Sequence, residues 1–208
     1  MPASTRWASR IDAHRAAVAQ TGLLSVWLTA VPEITLQHAA TCRRCGAPLA
    51  VGVCASPQFT YISYDDHRIV LDQLVGRGTR RTTDRVAVPT TTFLTPPLSR
   101  VGLTETQARA QGLAVHVVAK QVADIAAMPR PKIVGETHGL IKLVVDADTE
   151  LLVVATLFCV DSQELINLVA LAIRAGVRAA DLRDGIWTHP SSTQALNEVL
   201  AALPAPGA

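Results

Sequence analysis

The run at 151–160, Leu-Leu-Val-Val-Ala-Thr-Leu-Phe-Cys-Val, constrains the fold most. It is far too short to span a bilayer. An apolar segment of this length between polar neighbours reads as a central strand, buried on both faces. The polar stretch Asp146-Ala-Asp-Thr-Glu150 precedes it as a turn, and Asp161-Ser162 follows it as a helix start. Cys159, inside the run, reads as a small buried core residue.

The helix after it carries Leu165, Ile166, Val169, Ala172 and Ile173 at helical spacing, and Gly176 stops it. Leu168 and Leu171 lie off that stripe. A helix apolar on more than one face is covered on more than one face, so Leu168 and Leu171 are candidate interface residues. Glu164 and Lys142 read as surface charge, and Asp161 or Ser162 as the helix cap. A second strand is expected at 140–145. A third, at 114–122, alternates with Val115, Val117 and Ala119 on one side. A fourth, rich in Val, Thr and Phe, is expected at 86–94, before Pro96-Pro97. Thr104 and Gln107 have capping-box spacing and open a short helix that Gly112 closes. Asp181 to Asp184 begins a further short helix or turn. The order β-α-β-β-β-α-α over 86–203 predicts an α+β domain, an antiparallel sheet with helices packed on one face.

The expected last helix follows Thr188-His189-Pro190. Proline keeps the residue before it out of the helical conformation, so His189 is expected to be extended just ahead of that helix. Ser191 and Gln194 have capping-box spacing. Ala195, Leu196, Val199, Leu200 and Leu203 form one apolar stripe.

The first 57 residues are less regular. The segment 7–19 reads as a weak helix, and 22–36 as a mixed apolar segment broken by Pro32. Cys42 and Cys45 form a Cys-x-x-Cys pair, with His38 before it and Cys54 after it. Thiolate and imidazole ligands suit a tetrahedral zinc ion, and a dithiol can cycle between redox states. The alternative is a set of reduced cysteines in a loosely ordered segment. Residues 58–75 follow helical spacing through Phe59, Ile62, Asp66, Ile69, Val70, Gln73 and Leu74, and Gly76 and Gly78 end the helix. The arginine-rich stretch 76–84 reads as a solvated connector. The expected organisation is 1–57, an N-terminal segment; 58–85, helix and connector; 86–203, the α+β domain; 204–208, a tail.

A net charge of +2 without a clustered basic stripe argues against nucleic acid and anionic membrane surfaces. Four cysteines without a disulfide framework point to the cytoplasm. The apolar stretch 22–31 imitates a signal peptide but is followed by no small-x-small cleavage site. No Gly-x-Gly-x-x-Gly follows a strand and no Walker loop occurs.

The stretch Thr92-Phe-Leu-Thr-Pro-Pro-Leu-Ser-Arg-Val-Gly-Leu-Thr-Glu105 resembles the opening of the C-terminal dimerisation domain of the pyridine nucleotide-disulfide oxidoreductases. That family includes glutathione reductase, dihydrolipoamide dehydrogenase and mercuric reductase. The resemblance continues through Gly139-Leu-Ile-Lys142-Leu-Val-Val-Asp146 and Glu164-Leu-Ile-Asn-Leu-Val into Thr188-His189-Pro190. Residues 58–70, Thr95-Pro-Pro-Leu-Ser-Arg and Cys159-Val-Asp-Ser are most similar to the bacterial reactive-chlorine-resistance flavoproteins.

The resemblance implies a homodimer of FAD-bound subunits fed by NAD(P)H. The His-Pro segment would reach into the partner's redox-cysteine site, with His189 as acid/base and Pro190 at the interface. The family's orienting glutamate corresponds to Gln194, which lacks the carboxylate charge. Only 57 residues precede the matching region, and Leu49-Ala-Val-Gly52-Val53 resembles a remnant of the family's Ala-x-Gly-Asp flavin motif. The expectation is a truncated family member: a dimerisation or interaction module, with no cofactor in this chain alone and no stand-alone catalysis, partnered as a homodimer or with a homologous flavoprotein. One alternative is a subunit that supplies His189 in trans to an FAD/NAD(P)H-dependent disulfide or metal reductase. Another is a small zinc protein built on the Cys42/Cys45 region.

Overall fold

In the computed structural model the described residues are 59–204, together with the two-residue strands Ala40–Thr41 and Pro48–Leu49, which pair antiparallel. His38, Cys42, Cys45 and Cys54 lie outside the described residues, as do the segments 7–19 and 22–36 and the end of the tail. The chain divides into two units at the Arg85–Val86 junction.

In the first unit, helix α1 (Thr60–Val75) ends at Gly76. It buries Ile62 and, unusually for an acid, Asp66. The buried carboxylate is paired with the guanidinium of Arg85, whose Nε also donates to Asp65 Oδ2 at 2.8 Å. The connector after α1 is exposed but not structureless. The Asp72 carboxylate accepts the backbone N–H groups of Arg77, Thr79 and Arg80 at 3.1, 2.7 and 2.8 Å. These donors, Arg80's first, hold its carboxyl below the usual range.

The second unit is built on five strands: β1 (Thr90–Thr92), β2 (Leu98–Gly102), β3 (Val115–Gln121), β4 (Leu140–Asp146) and β5 (Leu152–Phe158). Their order across the sheet is β1-β2-β5-β4-β3, and every pairing is antiparallel. The apolar run at 151–160 therefore forms β5, the middle strand. Between the strands lie α2 (Glu105–Ala110) and α3 (Pro129–Val134); after them come α4 (Ser162–Ala175), α5 (Ala179–Arg183) and α6 (Ala195–Leu200).

Helices α4 and α6 cover one face. Val101, Val118, Ile141, Leu143, Leu152, Ala155 and Leu157 meet Leu165, Ile166, Val169, Leu196, Val199 and Leu200 there in a single core. This is the α+β architecture expected from the sequence. Alternation puts Val117, Ala119, Lys142 and Arg100 on the opposite face. There Lys142 Nζ donates to Glu105 Oε2 of α2 at 2.5 Å. The Thr104–Gln107 capping box forms in full: Thr104 Oγ1 accepts from Gln107 N at 3.1 Å, and Gln107 Oε1 accepts from Thr104 N at 2.8 Å.

Several expectations change. The strand placed at 86–94 shrinks to Thr90–Thr92, because Ala87 takes φ +50 and breaks the extended chain before it. Its partner β2 lies beyond Pro96-Pro97, where the polar Ser99 and Arg100 masked it. Ser99 is fully buried and hydrogen-bonded: its hydroxyl lies 2.9 Å from Ser162 Oγ, which donates to Pro97 O at 2.8 Å. Helix α3 was hidden by its prolines. Pro129 and Pro131 fall in its first turn, where no intrahelical N–H is required. Asp161 precedes α4 but does not cap it with its side chain.

Candidate functional site

The exposed tip Thr188-His189-Pro190 lies in the segment joining α5 to α6, and the His189–Pro190 peptide is cis. Both sides of the tip are tied to the fold. On the near side, Trp187 packs against the core and its Nε1–H donates to Leu182 O at 3.2 Å. Asn197 of α6 reaches back, and its Nδ2 donates to Arg183 O at 2.7 Å and to Gly185 O at 2.9 Å. On the far side, Ser192 is 5% exposed and its hydroxyl donates to Asp161 Oδ2 at 2.9 Å. Ile186 and His189 point outward between these ties.

The structure brings His189 and Gln194 together, with Nδ1 3.0 Å from Gln194 Oε1. The same Oε1 lies 3.3 Å from the backbone N–H of Ser191. A backbone amide only donates, so the facing atom is the carbonyl oxygen. That oxygen must then accept from Nδ1 as well. The neutral imidazole is held as the Nδ1–H tautomer, and its Nε2 lone pair is left for whatever approaches from outside.

The capping box expected at Ser191 is half formed. Gln194 reaches the Ser191 N–H, but the Ser191 hydroxyl donates to Thr188 O at 2.7 Å and takes no part in the cap. A turn through Thr193 and Gln194 intervenes before α6 begins at Ala195.

Helix α6 is held in place by Glu198. Its Oε2 accepts the Ala127 N–H at 2.7 Å, and its Oε1 is paired with Lys120 of β3. Burial pushes this carboxyl up, but the Lys120 ammonium and the Ala127 amide outweigh it, and the net position is below the usual range. Leu168 is partly buried against the core, whereas Leu171 on the outer side of α4 is 54% exposed. Cys159 is fully buried; burial first, and the nearby Asp161 charge second, push its thiol up to about 12. It is a packing residue and not a nucleophile.

Among the described residues no group of three His, Cys, Asp or Glu side chains is placed to hold a metal ion. No helix among them is long and apolar enough to cross a membrane. Sequence reasoning found His189 and Gln194 but missed Asn197, Glu198 and the Asp161–Ser192 tie. The tie crosses 31 positions of sequence and leaves no local pattern.

The sheet order, the helices on one face and the held-out arm define an α+β domain of the dimerisation type. The chain belongs to the pyridine nucleotide-disulphide oxidoreductase family, whose dimerisation-domain model matches residues 88–200. It is 49% identical over 144 residues to the "Probable pyridine nucleotide-disulfide oxidoreductase RclA" of Escherichia coli (strain K12), covering 69% of this chain and 32% of that one. A "Mercuric reductase" of Staphylococcus aureus is 35% identical over 151 residues, covering 73% of this chain and 26% of that one. The solved structure "HOCl-induced flavoprotein disulfide reductase RclA from Escherichia coli" superposes with a TM-score of 0.71 at 47% identity, over 74% of this chain and 35% of that one. The chain thus spans about a third or less of the length of these relatives. FAD and NAD(P)H are cofactors of the family. The sequence of this chain carries no glycine-rich dinucleotide fingerprint.

Proposed function

We propose that this chain acts as a dimerisation or interaction module, joining a second copy of itself or a homologous flavoprotein subunit, and does no redox chemistry by itself. The carrying observation is a dimerisation-type sheet and helix layer whose α4 leaves Leu171 exposed on its outer side. A bulky apolar residue there, next to the partly covered Leu168, suits burial against another subunit. The charge and cysteine usage of the chain agree with a cytoplasmic setting. Light scattering on the purified protein, alone and mixed with a full-length flavoprotein homologue, tests this. A dimer or mixed complex that Leu171→Asp dissociates is expected. A wild-type monomer that joins neither partner overturns it, and so does purified protein that retains flavin and oxidises NAD(P)H alone.

A second reading rests on the fixed tautomer of His189. The outward Nε2 lone pair can take the proton of a thiol as it becomes a thiolate, and the imidazolium can return it. In that reading the chain supplies His189 in trans to a disulfide or metal reductase subunit. Gln194 orients the ring without the charge a glutamate would place beside the imidazolium. A His189→Ala variant co-purified with such a partner then loses turnover, and equal turnover ends the reading.

A further inference from the structure

Asp161 occupies an expensive position and spends its side chain in an unexpected direction. It directly precedes α4 with φ +60 and ψ 13, the left-handed region in which glycine alone has no steric penalty. An aspartate before a helix ordinarily repays its place by capping the first turn, and here there is no side-chain cap. Its Oδ2 instead accepts two hydrogen bonds, from the Ser192 hydroxyl at 2.9 Å and from Arg130 Nε of α3 at 3.3 Å. Ser192 is buried and lies three residues after His189. Its carbonyl accepts the Ala195 N–H at 3.2 Å, the first bond of the turn that carries Gln194 into α6. Gln194 in turn holds Nδ1 of His189 and the Ser191 N–H.

We propose that Asp161 is the positioning residue of the His189 arm. Through Ser192 it fixes the turn that places Gln194 Oε1, and Gln194 fixes the ring and its tautomer. Arg130 donates to the same Oδ2 and so helps to hold the side chain aimed at Ser192. The importance of a fixed ring rests on the reading of His189 as a group presented to a partner; the positional coupling itself does not depend on it.

The backbone separates this role from folding. In Asp161→Gly the left-handed conformation becomes free of strain while the carboxylate disappears. The experiment uses the full-length protein by itself. It records the thermal midpoint, the exchange rate of the Ser191 N–H, and the ring-nitrogen shifts of His189 by long-range proton–nitrogen correlation at pH 8.5. Asp161→Gly is expected to keep or raise the midpoint. Its Ser191 N–H should exchange about tenfold faster, the scale set by losing one charge-assisted bond. The His189 nitrogen shifts should move from the Nδ1–H pattern toward the two-tautomer average. Ser192→Ala, which leaves α4 untouched, should do the same. Asp161→Asn, which keeps an acceptor for the Ser192 hydroxyl, should stay within about twofold of wild type. Unchanged exchange and unchanged shifts in both Asp161→Gly and Ser192→Ala overturn the proposal. Because no partner is present, this result is independent of the trans-activity experiment: an arm that responds to Asp161→Gly while His189→Ala leaves turnover intact sinks the trans reading alone.

Discussion

Replacing Glu198 by alanine removes two contacts at once, and replacing it by glutamine removes one. The Ala127 N–H, 2.7 Å from Oε2, would lose a charged acceptor in a partly buried place, a loss of about 1.5–3 kcal/mol. The Lys120 pair is partly exposed on both sides, 33% and 22%, and contributes about 0.5–1 kcal/mol after solvent screening. Glu198→Ala should therefore cost about 2–4 kcal/mol, or roughly 8–16 °C in thermal midpoint for a domain of this size. Glu198→Gln keeps an acceptor for Ala127 and should lose only about 2–4 °C. The two variants also differ in pH response. The folded carboxyl lies below its usual range, so its contribution is complete above the unfolded value of about 4.3 and is lost as pH falls through the lower folded value. The gap between wild type and Glu198→Gln should thus begin to narrow as pH falls below about 4.3. Circular-dichroism melts between pH 3 and 7 measure this. Equal midpoints for the two variants at pH 7, or a gap no smaller at pH 3 than at pH 7, would refute the reasoning.

Ser162→Ala interrupts the buried hydroxyl chain that joins β2 to α4 and leaves the Pro97 carbonyl only the Cys159 N–H at 3.3 Å; the two lost hydrogen bonds should cost about 1–3 kcal/mol, read from the urea midpoint. At Gly102 the backbone has φ +83, and an added Cβ would sit 2.1 Å from Val153 O. Gly102→Ala should cost upward of about 2 kcal/mol in the same measurement, and a midpoint matching wild type would contradict the packing described. Cys159 should resist alkylation at pH 8 in the native protein and react once urea unfolds it, as peptide mapping by mass spectrometry would show.

How much of this was readable in advance depended on how local each signal was. The middle strand declared itself because burial on both faces demands an unbroken apolar run. Helix α4 declared itself through the spacing of Leu165, Ile166 and Val169. Strand β2 did not, because Ser99 is buried by satisfying its hydroxyl and not by being apolar. Helix α3 did not, because prolines in a first turn look like a loop. His189 and Gln194 were both found from the sequence and stand 3.0 Å apart. The groups that hold them were not found. Asn197 bonds to two carbonyls that have no identity in sequence, and Asp161 meets Ser192 only through the fold. His38, Cys42, Cys45 and Cys54 fall outside the described residues.

The strand order has a consequence for a chain leaving a ribosome. Strands β3, β4 and β5 pair with their sequence neighbours, but β2 pairs on its inner side with β5, Gly102 opposite Val154. The partner of β2 emerges about fifty residues later, a wait of several seconds at ordinary rates of synthesis. During that interval the inner edge of β2 has no mate, the situation in which edge strands recruit foreign ones. A strand of Leu-Ser-Arg-Val-Gly, with a charge at its centre and a glycine at its end, is a poor template for such pairing. The polarity that concealed β2 in the sequence is thus what lets it wait.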